Sequence, residues 1–160
     1  MLKRSALTAI VLLAGCQYDP FAHEFTSRRP EAASVVGRYV PDDESRQRLR
    51  TRFAIEVSPD CEFVLNGDQT FVARSLPHCW YQTFDCEPGP ETWKGTWTVE
   101  KDQEWWSVGL RVTSRNGEPA GYYMPMMLRG EEPPYLLHLT IGDPDSGDAL
   151  AFQRESPPPR

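Results

Sequence analysis

The chain has 160 residues, with 17 basic against 23 acidic side chains and a formal net charge of −6. That balance argues against a nucleic-acid binder, which needs clustered Lys and Arg to neutralise phosphates, and against electrostatic attachment to anionic lipid. The length suits one domain, large enough to bury a core without a metal.

At the amino end, Lys3 and Arg4 precede a nine-residue run over 5–13, and Leu13-Ala14-Gly15-Cys16 follows. A basic start, a short apolar stretch and a small-residue site make an export signal; a spanning helix would need about 20 apolar residues. The ending resembles the lipobox of bacterial lipoproteins. That resemblance implies cleavage before Cys16, which leaves a net charge of about −8, and acylation of the Cys16 thiol. Two or more acyl chains give stable anchoring, so the bilayer is the first expected partner. In such lipoproteins an Asp after the cysteine favours retention in the inner membrane. Gln17 therefore implies the outer membrane, facing the periplasm, in an organism with two membranes.

The domain plan follows: signal peptide 1–15, lipidated Cys16 and flexible tether 16–34, folded domain 35–155, and proline-rich tail 156–160. The tether shows no sustained period of 2 or 3.6, and as a coil its reach is roughly 25 Å. The tail, Ser156-Pro157-Pro158-Pro159-Arg160, lacks the N–H groups that helix or central strand requires.

Within 35–155 the dominant period is two. After a first strand at 35–40, the acidic Asp42-Asp43-Glu44 and the later Arg46, Arg48 and Arg50 predict a helix of two to three turns, since carboxylates favour a helix start and cations its end. Phe53, Ile55 and Val57, then Cys61, Phe63 and Leu65, alternate as strand. Asn66-Gly67-Asp68 predicts a hairpin, with Phe71 and Ala73 on the return. Trp93, Trp97 and Val99 pair in pattern with Trp106, Val108, Leu110 and Val112 as a second hairpin. Tyr122, Met124, Met126 and Leu128 form a strand in which Pro125 signals an edge or a bulge. Tyr135, Leu137, Leu139 and Ile141 follow, then Leu150 and Phe152. Eight or nine antiparallel strands with one short helix predict an all-β barrel, since closure removes exposed edges.

Gly37-Arg38-Tyr39, Asn66-Gly67-Asp68-Gln69-Thr70-Phe71, Gly95-Thr96-Trp97 and Phe152-Gln153-Arg154 resemble the small lipocalin-like barrels of bacterial envelope lipoproteins. In lipocalins an arginine late in the barrel stacks on a tryptophan of the first strand. The resemblance implies those parts for Arg154 and Tyr39, although the aromatic here is tyrosine, and it implies a fold without an activity.

An oxidising envelope favours a disulfide. Cys79 and Cys86 close an eight-residue loop, a bridge expected to stabilise by about 2.5 kcal/mol. Turning the first hairpin about Gly67-Asp68 puts Cys61 opposite Arg74 and leaves it over, with a Cys61 pairing to either other cysteine still open. His78, Cys79 and Cys86 fall short of the four ligands of structural zinc. Asp143, Asp145, Gly147 and Asp148 share the opening of a calcium loop, but no downstream carboxylate stands at the bidentate position, so a polar turn is expected. His138 lies on the polar parity and reads as solvated. No motif nominates a nucleophile with a base and an orienting group, so neither an enzyme nor a cofactor is expected.

The aromatics carry the remaining lead. Trp93, Trp97 and Trp106 fall on the apolar parity and read as core. Trp105 falls on the polar parity, and with Trp80, Tyr81 and Phe84 of the disulfide loop it predicts an exposed patch that binds an envelope protein or a glycan. The alternative is a carrier holding a small apolar ligand inside the barrel. An eight-stranded barrel is just wide enough to be filled by side chains or to hold one ligand, and Phe53, Phe63, Phe71, Trp97, Trp106 and Phe152 favour filling.

Overall fold

The computed structural model describes residues 19–77, 90–141 and 143–155. Cys16, Trp80, Tyr81, Phe84 and the Cys79–Cys86 pair lie outside them. The period-two segments become β1 (Gly37–Pro41), β2 (Glu62–Leu65), β3 (Thr70–Pro77), β4 (Pro90–Asp102), β5 (Trp105–Arg115), β6 (Glu118–Arg129), β7 (Leu136–Thr140) and β8 (Ala149–Arg154). Each strand pairs antiparallel with the next and β8 returns to β1, closing an eight-stranded barrel of the expected class.

Alternate side chains point inward, and the interior is filled. Tyr39, Phe63, Phe71, Trp97 and Phe152 are all buried. Phe63 meets Phe152 edge to face with ring centroids 4.9 Å apart, an arrangement the ring quadrupoles favour. The Trp97 indole N–H donates to the Asn66 carbonyl at 3.0 Å, tying this core residue to the first hairpin.

That hairpin pairs Leu65 with Phe71 and Glu62 with Arg74. The turn thus centres one half-step later than expected, and Glu62 rather than Cys61 faces Arg74. The shift has a local cause: Gln69 takes a left-handed φ of 65° and Asn66 N–H donates to the Thr70 carbonyl at 2.9 Å. Cys61 is a buried free thiol.

Among the described residues two α-helices accompany the strands, α1 (Ala32–Val35) and α2 (Asp43–Phe53). The Asp42 carboxylate caps α2 by accepting the Ser45 N–H at 2.7 Å, the role such residues play at a helix start. The helix runs on to Phe53, and the strand expected over Phe53, Ile55 and Val57 does not form. Ala54 adopts a left-handed φ of 55° and Ile55 N–H returns to the Leu49 carbonyl at 3.0 Å, a C-terminal stop of the kind that satisfies the last carbonyls. Phe53, Ile55 and Val57 instead pack, partly buried, against the core.

Residues 19–34 also depart from the expected tether. Asp19 to Arg29 run against the barrel as a strap, with Thr26 between the ends of β5 and β6. Phe25 bridges to Arg129, Thr26 N–H donates to the Leu128 carbonyl at 2.9 Å, Trp106 N–H to the Thr26 carbonyl at 3.0 Å and Gly130 N–H to the Glu24 carbonyl at 2.9 Å. The Arg129 guanidinium bonds the Glu24 carboxylate at 2.5 Å and sits 4.7 Å from the Phe21 ring centre. A segment without periodicity gains its order from pairing and from aromatic side chains laid on the barrel wall.

The wall is continuous except beside β6. β5 pairs along β6 from Glu118 to Met127, whereas β7 pairs with β6 only from Met127 to Arg129. In this register the last residue of β7, Thr140, would face Pro125, which lacks the N–H a ladder needs, so the 118–126 stretch is an edge within an otherwise closed barrel, as the proline in this strand predicts.

Trp97→Ala should destabilise the fold by about 3–5 kcal/mol, the usual loss for a buried aromatic. Denaturant unfolding measures it; a loss below about 1 kcal/mol would mean that the interior is not filled as described.

Candidate functional site

The outer face of β5 to β7 gathers the residues most able to meet another molecule. Opposite partners Ser107, Met127, His138 and Ala151 form one outward row across β5 to β8. The strap covers part of that row, so outward parity does not mean exposure here. Phe25 stands edge-on to Trp105 with centroids 5.7 Å apart. Trp105 is therefore half-buried and is not the free surface anchor its parity suggests. Trp106 is likewise only partly buried, because it sits at the barrel rim. Its indole donates to the Ser27 carbonyl at 3.2 Å and Arg29 lies 5.5 Å above its ring.

His138 is the largest departure from the sequence reading. It is 1% exposed, held between Phe21 and Phe25 at centroid distances of 4.9 and 5.1 Å. Neither ring nitrogen has a hydrogen-bond partner among the described residues. Burial, reinforced by Arg129, pushes its pKa down to about 4, so the ring is neutral near pH 7. Nothing in the strand alternation reveals this; only the two strap phenylalanines do.

Beyond the strap the unpaired stretch of β6 opens a cleft of about 460 Å³. Trp93, Tyr122, Met124 and Leu139 line its inner part, with Pro125, Met127 and His138 toward the outside. Tyr122 stacks near Trp93 with centroids 6.3 Å apart. Tyr122 and Tyr123 are the large hydrophobic residues most open to solvent among the described residues, at 45% and 51%. The Tyr123 hydroxyl donates to Glu100 at 2.5 Å, and that bond pushes the phenol pKa up to about 12. Gly109 makes room for this pair, since a Cβ there would stand 2.7 Å from the Glu100 carboxyl carbon. The proline signal at 125 marked the edge in the sequence; the exposure of the two tyrosines beside it was not read.

The other nominated residues are also placed. Tyr39 and Arg154 are direct cross-strand partners; the Tyr39 hydroxyl donates to the Val35 carbonyl at 2.8 Å and Arg154 to the Ser34 carbonyl at 3.2 Å. Asp143 and Asp145 are exposed in the turn before β8, with Asp143 accepting the Asp145 N–H at 3.0 Å. Asp148 pairs with Arg52 at 2.5 Å. Burial pushes the Cys61 thiol up to about 12, far from the thiolate that nucleophilic chemistry requires. No cluster of three or more His, Cys, Asp or Glu able to hold a metal occurs among the described residues, and none of their helices is long and apolar enough to cross a membrane.

The buried imidazole sets a pH dependence. An unfolded histidine titrates near 6.5, against about 4 for folded His138. Between those values the unfolded chain binds more protons, so stability falls as pH drops through this window. Arg129 and Arg48 add to the depression while Asp19 and Glu24 oppose it. Glu100, held low by the hydroxyls of Thr98 and Tyr123, loses its contribution only at more acid pH. Thermal unfolding from pH 7 to pH 4.5 should therefore show a steady loss that His138→Phe removes; an unchanged slope in that variant would contradict the assignment.

Comparison of this chain with protein-family models, with curated proteins and with solved structures finds no match.

Proposed function

We propose that this protein is a membrane-anchored, non-catalytic envelope lipoprotein that binds a protein or glycan partner through its surface, at the open edge of β6. The observation that carries the reading is the contrast between a filled interior and two exposed aromatics at the open edge of β6, Tyr123 on the outer face and Tyr122 on the inward parity at the barrel mouth beside Trp93. Tyrosine gives much contact area for two side-chain torsions and is enriched among binding anchors. Trp105 contributes through Phe25, as support for the strap. A carrier acting through the barrel interior would need space that Phe63, Phe71, Trp97 and Phe152 occupy.

The anchor rests on the lipobox-like Leu13-Ala14-Gly15-Cys16. Cys16 precedes the strap residue Asp19 by three positions, a reach of about 10 Å. An acylated Cys16 would thus hold the strap face of the barrel near the bilayer, since Asp19 accepts the Thr140 hydroxyl at 3.2 Å. Cys16→Ser should abolish acyl labelling and release the protein from the membrane fraction; labelling and retention equal to the parent would contradict the anchor.

For the surface, Tyr122→Ala with Tyr123→Ala should weaken capture of an envelope protein or peptidoglycan fragment by about 2 kcal/mol or more, with little change in unfolding temperature. Undiminished capture by the doubly substituted, folded protein would overturn this choice of surface.

A further inference from the structure

We propose that the strap is a proton-released latch: in acid, Asp19 to Arg29 leave the barrel while the eight strands stay closed, which lengthens the free chain between Cys16 and the folded wall. The release does not depend on the anchored reading; only its consequence for distance from a membrane rests on it.

The geometry behind this is a set of polar atoms kept dry while the strap is docked. His138 lies in an outward row, yet both its ring nitrogens are buried without a hydrogen-bond partner among the described residues, beneath Phe21 and Phe25. Ser107, in the same row on β5, is 1% exposed and its hydroxyl is also unpartnered among them. Burying such groups without a partner is unfavourable, and lifting the strap from His138 lets water satisfy the imidazole.

Against that cost the strap is held at few points. Phe25 makes one bridge with Arg129. Thr26 donates to the Leu128 carbonyl and accepts from the Trp106 N–H, and the Glu24 carbonyl accepts from Gly130. The carboxylates of Asp19 and Glu24 hold Thr140 and Arg129. The barrel strands, in contrast, are joined by ladders that close on themselves. Segments with few bonds open locally, well below the free energy of global unfolding.

Protonation biases this opening in one direction. The docked strap leaves the ring nitrogens no solvent contact, so the open form takes the proton. There the imidazole titrates near 6.5, whereas burial under the strap holds it at about 4. The charged groups around it are Arg129 on β6 and Arg48 on α2, which oppose the imidazolium, and Asp19 and Glu24 on the strap, which favour it. A group that titrates higher in the open form favours that form as pH falls. The gain is absent well above pH 6.5, complete below pH 4, and about fiftyfold between pH 7 and pH 4.5. With the strap released as far as Arg29, the 14 steps of chain from Cys16 to Pro30 reach about 45 Å, against about 10 Å from Cys16 to the docked Asp19.

Amide hydrogen exchange of the full chain at pH 7 and pH 4.5, corrected for intrinsic exchange, tests the latch. The reporters are the amides of Thr26, Trp106 and Gly130, whose bonds the docked strap makes. Their opening constants should rise about fiftyfold in acid and exceed those of β2 and β3 by more than tenfold at both pH values. His138→Gln and His138→Phe, neither of which titrates, should each remove the rise. Glu24→Gln, which weakens the tie to Arg129, should raise strap opening at pH 7 and keep most of the pH dependence. The latch is overturned by a rise below fivefold, by a full rise in both His138 variants, or by strap and barrel amides that open together with one constant. No bilayer enters this measurement, so a strap that releases in a chain lacking acyl label would refute the anchor alone.

Discussion

The diameter of an eight-stranded barrel is the constraint on which the rest of this structure depends. At that size the interior is either filled by side chains or left with room for one ligand, and here aromatic residues from β1 to β4 and β8 fill it. The filling supplies the hydrophobic burial that holds the fold. It also moves every opportunity for recognition to the wall and the ends, which is why the residues of interest lie on outward positions or at an interruption of the ladder.

The interruption and the strap are connected features of one face. β7 leaves β6 after three paired positions, which exposes an edge, and exposed edges invite pairing with other chains. Prolines at 119 and 125 blunt this edge, while the strap covers the neighbouring outer row and buries His138 between Phe21 and Phe25. The wall is therefore sealed on the strap side and open beside Tyr122 and Tyr123. A cleft bounded by a buried imidazole and by exposed tyrosines is the result.

Much of the barrel was legible because its causes are local. Alternation at Trp93 to Val99 and at Trp106 to Val112 placed both strands of the long hairpin, and Asp42 announced the start of α2. The register of the first hairpin was missed by one half-step, since the left-handed conformation of Gln69 decides it and Gln is an uncommon residue there. Phe53, Ile55 and Val57 misled in another way: a helix end followed by an irregular run can bury every second residue without being a strand. The strap was invisible to periodicity because its order comes from partners more than 75 positions away, such as Trp106 and Arg129. His138 and Trp105 were misplaced for the same reason. Strand parity tells which face a residue takes, and only the tertiary cover tells whether that face is wet.

The central claim is that the barrel is full inside and open beside β6. Site-resolved amide hydrogen exchange on the free protein tests it most directly. The account predicts that amides of 120–126 pointing away from β5 exchange through small local openings, whereas those of β5 and of Met127 exchange only near global unfolding. Uniform protection along both edges of β6 would show a continuous wall and contradict the account.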